Sequence, residues 1–406
     1  MHKGIPALLA LLLSSLSTAQ TTDFTPKLLL IPQRLRRLQR DRERQTIRWL
    51  NFQNRLESVP DSPERGFELA LYYAVTHDEK RGEEAIQWAL AHKCDRRQAA
   101  LIVDWCGSLL SEADRQQLAS ATCEATSHNI AINIRDALFT DVVRDGEEDT
   151  DRRKNLVSWL QAGNFQNGEA LYAACEYFSA LRSTQHIDPR TEAREFFAAL
   201  PAEVLLALRP EEVERPNWMT HIAALALVSL DPNLQESQFL QAWAMQTHQL
   251  LRDGPGVAYE FLWADPYLPG IAYDNLDPWV YDSNGRLFAR TSWDSNACWV
   301  SISINGIAEE NCPQTWRRSI QTFGHLMLVP ASRPCVLVPH RRTTNTAAIV
   351  WNLQPHERVF YVEQQLESDQ ADAAGLCRLP ATAEGKVCTN PDTLKVPHAH
   401  TSARER

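Results

Sequence analysis

The sequence predicts a chain that is helical over most of its length and turns to β structure near residue 285. Two observations predict this. From Arg34 onward, apolar residues recur at helical spacing in segment after segment, and the connections are short enough to set successive helices antiparallel as hairpins. Then GRLFARTSWDSNACWVSISING, residues 285–306, begins to alternate: Cys298, Val300, Ile302 and Ile304 point one way, Trp299, Ser301 and Ser303 the other. That is the period of a strand. With 406 residues, 44% of them hydrophobic, the chain is long enough for two domains and a sizeable core.

The N-terminal MHKGIPALLALLLSSLSTAQ has the layout of a signal peptide over residues 1–19. Lys3 precedes an apolar run from Ile5 to Leu13, and Ser17 and Ala19 stand at the −3 and −1 positions of a cleavage site. The run is too short for a stable membrane span, and the alternative to a cleaved signal is an uncleaved N-terminal anchor. The expectation is a secreted or periplasmic protein with no membrane attachment once the signal is removed. A net charge of −10 argues against nucleic acid as a partner, since that needs a basic surface.

Residues 20–252 form the expected helical domain. The first helix carries seven arginines between Arg34 and Arg48, which are expected to form a solvated face paired with neighbouring acids. In DSPERGFELALYYAVT, Ser62 is placed to cap a helix with Pro63 at its first position. Ser111 and Asp114 make a start resembling a capping box. Further helices are expected near 152–162, 168–183, 189–208, 216–230 and 235–252. No strict period marks a tandem repeat, so the hairpins form either an open array or a closed ring.

Residues 253–284 have the texture of an aromatic linker, with Gly, Pro, Asp and Asn between Tyr259, Trp263, Tyr267, Tyr273, Trp279 and Tyr281. Strands are expected at 286–293, 297–305, 322–330, 334–339, 346–353 and 357–363 within a β domain over 285–390. A polar tail, 391–406, follows. Among the nine cysteines, Cys94, Cys106, Cys123 and Cys175 lie in helical patterns as small buried hydrophobes, and Cys377 and Cys388 are the best pair for a disulfide. No cysteine or histidine spacing has the form of a zinc site, and neither a metal nor another cofactor is expected.

Helical hairpins, an aromatic linker and a strand beginning RLFARTSWDSNACWVSI together resemble the heparinase II/III-like proteins. These are secreted polysaccharide lyases with an (α/α) toroid followed by an antiparallel β-sandwich. The segment with Arg290, Ser292, Trp293, Asp294 and Ala297 is similar to the one that opens the family's sandwich, and FELALYYAVTHDEKRGEEAIQWALA and VDWCGSLLSEADRQQLA look like its early toroid helices. The resemblance implies an (α/α) toroid plus a short antiparallel β-sandwich, and a polysaccharide, anionic in character, bound in the cleft between them.

It also implies β-elimination on a uronate-containing chain. The developing charge on the uronate must be stabilised, the C5 proton taken by a base, and the leaving oxygen protonated. Asn164 would neutralise the carboxylate, Tyr259 or Tyr267 would serve as base or acid, and His221 would be the partner. Gln166 stands where the family's histidine is sought. Trp218 would stack on a sugar, and Arg290 and Arg318 would hold anionic groups. Each has a plainer alternative: Asn164 or Asn167 capping a helix, His221 a structural histidine, Trp218 a core residue, the tyrosines glue between domains.

The sequence departs from the family in WRRSIQTFGHLMLVPASRPCVLVPH, where Trp316, Arg317 and Arg318 occupy the positions of a histidine-rich segment and His325 is out of register. An arginine there would bind a carboxylate but not act as base. A glycan-binding or scaffold protein that has lost the lyase chemistry is therefore the main rival. An (α/α)-barrel glycosidase, with Glu260 and Asp265 as nearby acids, is a further one.

Overall fold

The computed structural model describes residues 26–311 apart from 121–126, 145, 147–148, 247–253, 277–278, 282–286, 291–292, 296, 298 and 303–307. The expected signal peptide, Cys123, Cys298, Arg318, the disulfide expected between Cys377 and Cys388, the strands expected from 322 onward and the expected polar tail all lie outside these residues.

Before the first helix, Leu28, Leu29 and Leu30 are fully buried, and the Asp104 carboxylate accepts the backbone N–H groups of Lys27 and Leu28 at 2.9 and 2.7 Å. Then follow α1 (Pro32–Glu43), α2 (Ile47–Ser58), α3 (Arg65–Thr76), α4 (Glu79–Ala91), α5 (Arg96–Trp105), α6 (Glu112–Ala119), α7 (Ile130–Val143) and α8 (Thr150–Gln161). After a 3-10 turn at Asn164–Gln166 come α9 (Gly168–Thr184), α10 (Arg194–Ala207), α11 (Pro210–Glu214), α12 (Trp218–Leu230), α13 (Gln235–Ala244) and α14 (Val257–Trp263).

Local chemistry explains most starts. Asp78, Asp95, Ser111, Asn129, Asp149, Asn167 and Asn217 each accept a backbone N–H in the first turn of the helix they precede. Ser62 does not cap α3, which starts two residues beyond Pro63; its hydroxyl instead bonds the buried Glu68 carboxylate at 3.0 Å.

Helices α3, α5, α7, α9, α12 and α14 pack in that succession, and α2 packs on both α14 and α3. α4, α8 and α13 pack on α3, α7 and α12 from outside this circuit. Both helix surfaces are apolar in α9 and α12, which bury nearly every residue from Ala170 to Leu181 and from His221 to Val228. Arginines satisfy the carbonyls at several C-terminal ends: Arg42 on Val75 of α3, Arg182 and Arg190 on Leu230 of α12, Arg37 on Leu262 and Arg48 on Ala264 of α14. The arginine-rich segment is thus only partly a solvated face: Arg36, Arg40 and Arg44 are exposed, and Arg37 and Arg48 pair with Asp265 and Asp41. Arg34, Arg37 and Arg48 are buried because α1 and α2 pack against the end of α14.

Residues 257–263, expected in irregular linker, form α14, and every residue of it is buried. Beyond it, β1 (Trp279–Tyr281), β2 (Leu287–Arg290), β3 (Trp299–Ile302) and β4 (Ala308–Asn311) make one antiparallel meander in sequence order. Phe288 pairs with Ser301 and Arg290 with Trp299. The meander is fastened to α10: Trp299 Nε1 donates to the Leu206 carbonyl at 2.8 Å, and Arg290 reaches the Leu208 carbonyl.

The expected class, an (α/α) toroid followed by a short antiparallel β-sandwich, is corrected by these strands. The molecule is predominantly helical, with four strands of three or four residues in a single sheet and no second sheet facing it among the described residues. Among the described residues the sheet packs on α10 rather than on other strands, and no sandwich core is formed there. Among the described residues no helix is long and apolar enough to cross a membrane.

Candidate functional site

The N-terminal ends of α9, α12 and α14 gather most of the residues singled out in the sequence. Gly168 opens α9 directly against α12, and a Cβ at that position would come within 2.7 Å of the Thr220 nitrogen. Asn164 and Gln166 lie in the 3-10 turn just before it, and Trp218 opens α12. Tyr259, in the first turn of α14, faces the Trp218 indole with ring centroids 5.9 Å apart. His221, one turn into α12, has Nε2 4.0 Å from the Glu260 carboxylate of α14.

The outer layer of this end is polar and accessible. Gln166, Asn167 and Asn217 are exposed, and Asn164 and Trp218 are half-buried. Asn167 and Asn217 use their side-chain oxygens as helix caps, which leaves their amide N–H groups at the surface. Asn164 donates one N–H to the Trp159 carbonyl at 2.7 Å. Amides beside an indole offer hydrogen bonds to hydroxyls and an apolar face to a sugar ring.

The groups needed for proton transfer lie beneath. His221 is 0% exposed, and neither ring nitrogen has a hydrogen-bond partner among the described residues. Burial lowers its pKa to about 4, so the ring is neutral at pH 7 but out of reach of a ligand. Tyr259 is packed on Phe67, Tyr172 and Trp218. Burial pushes its phenol far above the ordinary range, with Arg97 pulling the other way, so the phenol stays protonated.

Under Tyr259 runs a charged network that sequence reasoning missed. The Arg97 guanidinium lies 5.1 Å from the Tyr259 ring centroid and pairs with Glu176 at 2.7 Å and Glu64 at 3.0 Å. Glu176 also holds Arg135 at 3.0 Å and accepts the Tyr172 hydroxyl at 2.6 Å, and Trp263 Nε1 donates to that same hydroxyl at 3.0 Å. Burial alone would raise the Glu176 carboxyl, but Arg97 and Arg135 outweigh it and hold the group below its usual value. This network ties α5, α7, α9 and α14 together. Its trace in the sequence is Glu176 inside ALYAACEYFSAL, a lone acid in an apolar run, which a buried helix tolerates only when paired.

Two remaining candidates stand elsewhere. Tyr267 is 62% exposed past the C-terminal end of α14, where Arg44 donates to its hydroxyl at 3.1 Å. It lines a cavity with Ser229 and Pro232 at the far end of α12, a helix about 20 Å long at 1.5 Å per residue. Tyr267 therefore cannot share a substrate with Tyr259 at one reacting atom. Arg290 is fully buried over the Trp293 ring at 4.2 Å, and burial lowers its pKa to about 9; it supports the sheet instead of meeting a ligand. Among the described residues no group of three His, Cys, Asp or Glu could hold a metal ion.

Comparison with known proteins adds no relative. No family model matches the chain, and no curated protein matches it. The resemblance to heparinase II/III-like proteins rests on the quoted segments alone.

Proposed function

We propose that this is an exported protein that binds a polysaccharide, of the uronate-containing class the resemblance implies, without cleaving it. Its site is the end of the helical body marked by Asn164, Gln166, Asn167, Asn217 and Trp218. One observation carries the reading: the hydrogen-bonding amides and the indole are open to solvent, while His221 and Tyr259, the candidates for base and acid, are sealed below them. Binding needs only the outer layer, whereas elimination needs a base in contact with the C5 proton. The export half of the proposal is supported by Cys94, which is disulfide-bonded and so suits an oxidising compartment.

β-Elimination is the second reading. It is favoured by the placement of Asn164, Trp218, His221 and Tyr259 at the N-terminal ends of adjacent helices. The two readings separate when alginate, heparan, chondroitin and polygalacturonate are incubated with the chain while binding and unsaturated-uronate absorbance are recorded together. Binding without absorbance supports the first reading; rising absorbance supports the second.

A further inference from the structure

At the opposite end of α12 from Trp218 lies a cavity of about 500 Å³ between α1 and the C-terminal ends of α12 and α14. Its volume is that of a small-molecule site. Arg34, Arg37, Arg40 and Arg44 line it, from one face of α1 and the residue that follows, against a single acid, Asp265. In a chain of net charge −10 this is a concentrated positive spot.

Part of that charge is already answered. Arg37 pairs with Asp265 at 3.0 Å and donates to the Leu262 carbonyl. The helix ends of α12 and α14 add about half a negative charge each. That leaves a cationic surplus, and it falls on identifiable groups. Arg34 is buried, donates only to the Leu29 carbonyl and the Ser229 hydroxyl, and has no carboxylate partner among the described residues. Its guanidinium lies over the Trp263 ring at 4.1 Å, and burial with Arg37 nearby lowers its pKa to about 9. Arg37 is also buried, and its Nε has no hydrogen-bond partner. Asp265 acts on Arg34 only from a distance, being in contact with Arg37; a buried guanidinium with no carboxylate in contact is costly, and an entering oxyanion would relieve it through charge-assisted hydrogen bonds. At the mouth stand the exposed Arg40 and Arg44 and the exposed ring of Tyr267.

We infer that this cavity binds a sugar acid, with its carboxylate held by Arg34 and Arg37 inside and its ring laid on Tyr267 at the mouth. A planar carboxylate matches the guanidinium fork, and a sugar's C–H face matches a phenol ring. The inference does not depend on the reading of the Trp218 end, which lies at the other end of the same helix.

The test is calorimetric titration of the full chain carrying Trp218→Ala, so that the other end binds about tenfold more weakly, with digalacturonate, its methyl ester, acetate and sulfate as probes. Digalacturonate is expected to bind at one site per chain, more weakly in high salt, and the methyl ester to lose about tenfold. Arg40→Gln and Tyr267→Ala, both exposed, are expected to weaken digalacturonate severalfold while the chain stays folded. Arg34→Gln should abolish binding if it folds. The inference is overturned if digalacturonate fails to bind, if Arg40→Gln and Tyr267→Ala leave its affinity unchanged, or if acetate or sulfate binds as tightly as the sugar.

Discussion

Arg97 grips Glu176 through two nitrogens, Nη2 at 2.7 Å and Nε at 2.9 Å, where both side chains are shut away from water. Removing one partner of a buried ion pair strands the other charge, which costs about 3–5 kcal/mol. Glu176→Gln is therefore expected to lower unfolding stability by the lower part of that range in urea titrations, because Arg97 keeps only Glu64 and Arg135 only Asp136 as a charged partner. A loss under about 1 kcal/mol would show that the pair does not organise the core.

Two buried groups should give the stability opposite slopes with pH. His221, lowered from 6.5 to about 4, is neutral in the fold but protonates when unfolded, so its contribution is present above pH 6.5 and is lost as pH falls toward 4. Asp104, raised from 3.8 to about 6 by burial against its backbone donors, behaves the other way: its contribution is present below pH 3.8 and is lost as pH rises through 6. Relative to the parent chain, His221→Phe should gain stability on acidification from pH 6.5 to 4. Asp104→Asn should lose it from pH 6 to 4, each by an amount on the order of 3 kcal/mol. Urea midpoints at pH 7, 5.5 and 4.5 measure both; parallel pH curves for the three proteins would contradict the burial of these groups.

Gly168 lets α9 start directly against α12, with the Thr220 backbone and hydroxyl in the space a Cβ would fill. Gly168→Ala must push the helices apart, at about 1–3 kcal/mol for overpacking. Because Trp218 starts the helix that is displaced, polysaccharide affinity should fall along with the melting temperature. A destabilised variant with unchanged affinity would place the binding surface elsewhere.

Cys94 is disulfide-bonded, whereas Cys106 and Cys175 are free and buried, with burial raising the Cys106 thiol to about 12. A thiol reagent should leave both unmodified in the folded chain, since neither forms a thiolate near neutral pH. Reducing the bond at Cys94 should cost about 2–4 kcal/mol. Rapid labelling of the native protein would contradict this arrangement.

The sequence was most informative where local chemistry and apolar pattern coincide. In ERPNWMTHIAALALVSL an asparagine cap precedes a continuous apolar run, and α12 forms from Trp218 to Leu230 as those features require. It was least informative where burial is decided by distant residues. VAYEFLW is only one helical pair of turns, and the prolines and glycines on either side disguise it as linker until α2 and α12 cover it. The arginines of α1 resemble a surface because nothing nearby in sequence reveals that Leu262, Ala264 and Asp265 will meet them. Alternation marked the strands from 287 to 302, but it says nothing of layers: Trp299 and Arg290 dock on α10 instead of a second sheet. Among the candidate site residues, Asn164, Gln166 and Trp218 stand at helix starts, a position that the local sequence reveals. The burial of His221 and Arg290, and the distance of Tyr267 from Tyr259, depend on packing that spans most of the described chain.

The most direct measurement titrates the full chain with polygalacturonate and alginate oligomers, following heat of binding and unsaturated-uronate absorbance in the same samples, alongside Trp218→Ala. The expected result is saturable binding with no rise in absorbance, weakened about tenfold or more by loss of the indole, as stacking contacts of one to two kcal/mol predict. A rise in absorbance that disappears in Tyr259→Phe would contradict it, by showing that the buried phenol reaches a substrate after all.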